Sequence, residues 1–221
     1  MKPRMSVARC CCDGQPPQPP VVLPLLAGSG QWEPGGTEIN WIIENTLSVA
    51  AWGTWSGVGF RRVSGYIRTT TAGGAQIPQG ANIQLAELIA EVCLNTASAG
   101  FSTASSGTAA CDISGEDNDT ATVITTAAQA DALPRTLATV ANYEHDLGQF
   151  NNNELRIDVT SLVQQMVDRP GWALTSQLQF LMDENGNSTS NPGTEGVYGQ
   201  FMDRGGANGP ADWPRVEVTY T

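Results

Sequence analysis

Charge is scarce in this chain, and lysine and histidine are almost missing. Asp, Glu, Lys and Arg make up 15% of the 221 residues, against roughly 25% in an ordinary soluble domain. So little charge fits a chain that shares its surface with neighbours. The only lysine is Lys2 and the only histidine is His145. Glu144 and Asp146 flank that histidine, which suits a surface ion pair as well as a catalytic base. No G-x-S-x-G motif is present, so the nucleophile elbow of an α/β-hydrolase is excluded. Any two of 22 acidic residues might form a glycosidase pair, but nothing singles two out. No apolar run approaches the roughly 18 to 20 residues of a membrane span. Residues 6–22 hold no apolar run of signal-peptide length either. The expectation is a soluble, non-enzymatic protein made in a cytoplasm, with no membrane partner.

Basic charge is concentrated at the start. The chain has 11 basic and 22 acidic residues, a net charge of −11. Lys2, Arg4 and Arg9 precede the first acid, Asp13. The remainder therefore carries 11 − 3 = 8 basic against 22 acidic residues, a balance of −14. Such a body repels phosphates, so no nucleic-acid partner is expected. Cysteine is present in an unhelpful pattern. Cys10, Cys11 and Cys12 are consecutive, while Cys93 and Cys111 stand alone. Three adjacent thiols do not make a tetrahedral zinc site without a partner C-x-x-C or a nearby histidine. No metal and no cofactor is expected. Cys93 and Cys111 fall in predicted strands, and two buried thiols are expected over a disulfide in a cytoplasmic product.

The 24 glycines and 13 prolines, with long Thr, Ser, Asn and Ala runs, favour strands and turns over long helices. Residues 1–36 read as an extended arm and 37–221 as the body. Gln15 to Pro20, QPPQPP, is a stiff polyproline II segment. Val21 to Gly28, VVLPLLAG, is apolar. The arm residues that would meet a partner are Arg4, Arg9, Pro16, Pro17, Pro19, Pro20, Val21, Val22, Leu23, Leu25 and Leu26. Two destinations fit: insertion into a partner or sister subunit, or packing back on the chain's own body. The first is favoured, since an apolar segment on a free arm seeks burial elsewhere.

In the body, strands are expected within 37–52, 59–71, 110–124, 137–150, 177–185, 196–204 and 214–221. Asn82 to Thr96 fits both a helix and a strand. Ala97 to Ala110 reads as a low-complexity loop. Leu155, Ile157 and Val159 alternate with polar residues as a strand does. One short helix follows, with Leu162, Val163, Met166 and Val167 on a single face. Asp158 or Ser161 is its expected cap, and Pro170 and Gly171 stop it. Short strands separated by turn residues indicate an all-β, jelly-roll-like antiparallel sandwich.

Two acidic segments offer hard oxygen ligands for calcium. One holds Asp112, Glu116, Asp117 and Asp119. The other, DENGNSTSNPGTE, holds Asp183, Asn185, Asn187 and Glu195. In the second, Ser188 stands where an EF-hand loop has glycine, so a solvated turn fits better. Trp52 and Trp55 are the candidate glycan-stacking aromatics. Trp172 and Trp213 border proline turns and suit packing.

Several segments in order are SGYIRTTT, IPQGANIQLAEL, ISGEDNDTAT, LPRTLATV, LRIDVTSLVQQMVDRPGW, LQFLM and WPRVEVTY. Together they resemble the DNRLRE-type β-sandwich module, which is related to some carbohydrate-binding modules. The resemblance covers about Tyr66 to Thr221, and it alone makes Asn82 to Thr96 a strand. Thr69, Thr70, Thr71 and the Gly73–Gly74 loop depart from its pattern, as does the long polar stretch 97–107. The resemblance implies a virion protein of a tailed bacteriophage, assembled in the host cytoplasm. It further implies capsid-decoration, neck or tail partners and a homo-oligomer. The alternative it implies is a module that binds a host surface glycan.

Overall fold

The computed structural model describes residues 20–24, 30–32, 34, 48–55, 61–69, 77–91, 100–104, 107–146, 154–190, 196–202 and 215–221. These residues form an all-β, antiparallel sandwich. One sheet has four strands in the order β1 (Val21–Pro24), β13 (Arg215–Tyr220), β5 (Ile83–Glu91) and β9 (Glu154–Asp158). The other has nine. Its main path is β11 (Thr189–Ser190), β7 (Gly107–Glu116), β10 (Gln179–Glu184), β4 (Arg61–Arg68), β3 (Ser48–Trp55), β12 (Gly196–Met202) and β6 (Gly100–Ala104). β2 (Gly30–Trp32) joins β4 and β8 (Arg135–Asp146) joins β7.

The two sheets bury their facing side chains against one another. Leu88, Ile157, Val216 and Val218 from the first meet Ile67, Ile113, Phe180 and Met182 from the second in one core. Helix α2 (Thr160–Val167) plugs it with Leu162, Val163, Met166 and Val167, all fully buried. At about 1.5–3 kcal/mol for each such side chain, this face explains why eight residues stay helical. Helical propensity alone does not hold so short a helix.

The expected strand–helix–stop order over 154–172 is present. The cap differs. Val159 is the N-cap and makes no side-chain bond. Asp158 Oδ1 accepts from Thr160 N at 2.9 Å instead, and Val159 N donates to Ala86 O at 2.8 Å. The helix start is therefore sewn to β5 as much as capped. Within the 82–96 segment Ile83–Glu91 is strand β5, flanked by β13 and β9, and residues 92–96 lie outside the described residues.

Three expectations are corrected. First, Val21 to Pro24 does not stand apart from the body. It pairs with β13, from Val21 opposite Val218 to Pro24 opposite Arg215. Leu23 enters the main core and Val21 packs against it, while Val22 and Pro20 stay exposed. Gly30 to Trp32 also joins the body, opposite Tyr66 to Ser64. The boundary at 36/37 therefore leaves β1 and β2, two strands of the sandwich, on the side read as an arm. Arg4, Arg9, Pro16, Pro17, Pro19, Leu25 and Leu26 lie outside the described residues. Second, a second helix, α1 (Ala127–Ala132), lies on the outer face of the larger sheet. With Ile124 and Leu133 it covers Tyr66 and Leu181. Third, 100–104 is strand β6, paired with β12, where a loop was expected.

Candidate functional site

Three of the quoted segments, distant in sequence, meet at the C-terminal end of α2. Arg169 is the hub. Its Nε donates to Met166 O at 2.9 Å and its Nη1 to Glu116 O at 2.8 Å. Asp119 Oδ1 lies 3.9 Å from Nε, and the guanidinium sits 5.7 Å from the Trp172 ring centre, within cation–π range. Burial pushes the Arg169 pKa down, and Asp117, Asp119 and Glu116 oppose that. A guanidinium stays charged regardless. Trp172 Nε1 donates to Ile77 O at 2.8 Å, and Gln79 Nε2 to Arg169 O at 2.9 Å. Gly80, at φ +68°, donates its N–H to Val167 O at 3.2 Å. A side chain would be strained at that φ. The turn 77–81, the strand end 115–119 and the helix stop 169–172 are thereby locked together.

Glu116 is buried and holds the loop that follows it. Its carboxylate accepts from Thr122 N at 2.9 Å and from the Thr122 hydroxyl. A Cβ at Gly171 would overlap the Asp119 carboxylate, so that half-exposed side chain would have to move aside. Beside this clasp opens a polar cavity of about 210 Å³. Asp119, Thr120, Gly171, Thr175, Ser176 and Gln177 line it. Ser176 Oγ donates to Asp119 O at 3.1 Å, which fixes one wall.

A second polar knot joins β7, β8 and the turn after β10. Asn142 has φ +49°, which asparagine tolerates better than most residues. Its N–H donates to Asp112 Oδ1 at 2.7 Å and its amide to Glu144 Oε1 at 2.6 Å. Asn185 Nδ2 reaches Asp112 Oδ1 at 3.0 Å, and Asn187 Nδ2 reaches Asn142 Oδ1 at 2.7 Å. Asp183 instead pairs with Arg135 at 3.0 Å. Arg135 Nη1 also donates to Ala130 O and Leu133 O, which ties α1 down. The calcium candidates Asp183, Asn185 and Asn187 thus serve two different hydrogen-bond sets. Among the described residues no group of three or more His, Cys, Asp or Glu is placed to hold a metal. Asp112 lies mid-strand in β7 and bonds to Asn142 and Asn185, whereas Glu116 bonds to Thr122, so the first acidic segment is not one cluster.

Trp52 and Trp55 both fall on β3, opposite Gly199 and Gly196 of β12. Their side chains lie outside the described residues. His145 lies on β8 opposite Ala109. Cys111 is a buried free thiol whose pKa is pushed well up by burial, then by Asp112, Asp183 and Glu184. Tyr143, opposite it on β8, is pushed up by burial and by Cys111. Cys10, Cys11, Cys12, Cys93 and Glu195 lie outside the described residues. Among those described, no helix is long and apolar enough to cross a membrane.

Nothing in the sequence marks Gln179, whose buried amide has no hydrogen-bond partner among the described residues. Arg135 as the tie for α1 carries only a faint signal: an arginine just after a helix whose last carbonyls need donors. No protein-family model matches this chain, and no curated protein matches it.

Proposed function

We propose that this chain is a structural protein of a tailed-bacteriophage particle, working through interfaces and not through turnover. It would decorate or cement a capsid, or form part of a neck or tail. The resemblance of its segments to virion β-sandwich modules motivates the reading. The observation that carries it is how the clasp uses its polar groups. Arg169, Trp172 and Gln79 each donate to a main-chain carbonyl of another segment. Charge placed that way stiffens a scaffold. A catalytic site aims such groups at the reacting atoms. Partners on this reading are other virion proteins and further copies of the chain, in a virion assembled in the host cytoplasm.

The attaching segment is residues 1–19, with Arg4, Arg9, Pro16, Pro17 and Pro19. They precede an edge strand that belongs to the sandwich. The test is incorporation into particles, measured by mass spectrometry of purified virions. The full chain should be present, and a chain starting at Pro20 should fold but be missing. A full chain absent from particles, or a truncated one incorporated equally, refutes the reading.

The open polar cavity beside Asp119 favours one second reading, a module that recognises a host surface glycan. A glycan array decides it, with Trp52→Ala, Trp55→Ala and Asp119→Ala as controls.

A further inference from the structure

We infer that β1 and β2 form an exchangeable unit, and that a second copy of this chain accepts its neighbour's β1 along β13. This deepens the interface reading by naming one partner, and it rests on that reading.

The hold of β1 on its own body is narrow. Its four residues pair with β13 alone among the described strands. Among its described side chains Leu23 alone is buried, at 4% exposure, while Val22 is 46% exposed. Releasing β1 opens a four-residue ladder and uncovers Leu23 and the partly buried Val21. Carrying β2 along also opens its three-residue ladder to β4, and the opening remains local. What remains is the bare edge of β13, a row of main-chain donors and acceptors ready to pair again. Beside it is the vacated seat of Leu23, next to Val216 and Val218.

The same edge fits the same strand from another copy without any new complementarity. That is why exchange of an identical element is an inexpensive route to oligomers. Residues 25–29 separate β1 from β2, too few to let β1 travel far by itself. Residues 33–47 separate β2 from β3, and fully extended they reach on the order of 50 Å. The two strands would therefore move together, with 33–47 as the connection between copies.

The sequence of β1 also limits the product. Pro20 precedes the strand and Pro24 ends it. Proline has no N–H to donate and sits only on edge strands. β1 thus completes a neighbour's sheet but presents a poor template for a further strand. The sheet therefore does not grow by further strand addition at that edge.

The test uses the register in which Val22 faces Glu217. In the full chain with Cys10, Cys11, Cys12 and Cys93 changed to serine, Val22→Cys and Glu217→Cys are placed on separate, differently tagged copies. These are co-expressed and oxidised. A disulfide-linked pair carrying both tags is the expected result. The double variant on one chain reports whether the register holds. If it closes within itself while the mixed copies stay unlinked, the inference is overturned. Should neither link form, native mass spectrometry of the unaltered chain decides. An oligomer lost on Leu23→Asp supports exchange, whereas a monomer, or an oligomer that survives that change, overturns it. Particle incorporation is a separate measurement, so failure of one reading is distinguishable from failure of the other.

Discussion

Adding a single methyl at Gly115 should cost stability, and the structure says which atoms object. A Cβ there would lie 2.8 Å from Met166 Sδ, 3.0 Å from Met166 Cε and 3.0 Å from Thr136 Cγ2. Met166 is flexible, but it is fully buried between the sheets. Thr136 is the stiffer obstacle. Its hydroxyl accepts from Gly115 N at 2.9 Å and donates to Ala138 O at 2.8 Å. Rotating it to move Cγ2 away breaks both bonds. Overpacking of this kind costs about 1–3 kcal/mol. A domain of this size loses roughly 2–4 °C of Tm for each kcal/mol. Thr136→Ser keeps the hydroxyl and removes the obstructing methyl, at a cost of about 1 kcal/mol by itself. The assay is a double-mutant cycle in urea, read from the midpoint at unchanged slope. Gly115→Ala with Thr136→Ser should be less destabilised than the sum of the singles by about 1 kcal/mol. Additivity within about 0.5 kcal/mol, or a neutral Gly115→Ala, refutes the packing argument.

Arg169→Met should keep the packing but strand the carbonyls of Met166 and Glu116, each worth about 1–3 kcal/mol when left unbonded. Relief of the buried charge offsets part of this. The urea midpoint should fall, with faster hydrogen exchange over 117–122, and an unchanged midpoint sinks the clasp. Cys111 should resist alkylation under native conditions, even in mildly alkaline buffer, and react only on unfolding. Mass mapping of labelled peptides checks this, and rapid native labelling contradicts its burial. Asp158 titrates below the ordinary carboxylate range because the Thr160 side chain and backbone bond to its charged form. A folded pKa below the unfolded one gives stability above about pH 4 that is lost as pH falls through the folded value. Asp158→Asn should therefore flatten the acid limb of the stability profile, and an unaltered limb contradicts the assignment.

Helix α2 was legible because four large apolar residues mark one face and Pro170 marks its end. Helix α1 was not. Its residues, AAQADA, are mostly alanine, so no long side chains mark a face. The readable signal was Thr126 with Gln129, a capping-box spacing. Gln129 N indeed donates to Thr126 Oγ1 at 3.2 Å. The destination of Val21 to Pro24 could not be read locally either, since its partner strand is the last in the chain. The IPQGA and RPGW segments were legible as motifs and not as neighbours. What joins them are bonds from side chains to carbonyls, and any residue supplies a carbonyl.

Gln179 shows what covering a sheet on both faces entails. β10 has its Phe180 and Met182 face in the core, and its Leu181 face lies under α1. Gln179 shares that outer face, opposite Arg68 on β4. It is 1% exposed, and neither its amide nitrogen nor its amide oxygen has a hydrogen-bond partner among the described residues. Removing an amide from water without compensation costs about 1–3 kcal/mol in proteins. Methionine has nearly the same length and no such requirement. Gln179→Met should therefore raise the urea midpoint, by an amount corresponding to about 1–2 kcal/mol. Gln179→Ala should lower it, because it leaves a cavity where the side chain was. That opposite pair of signs separates an unsatisfied amide from a merely buried one. If Gln179→Met destabilises the chain as Gln179→Ala does, the amide has a bonding partner in solution, and α1 closes over a hydrated face of the sheet.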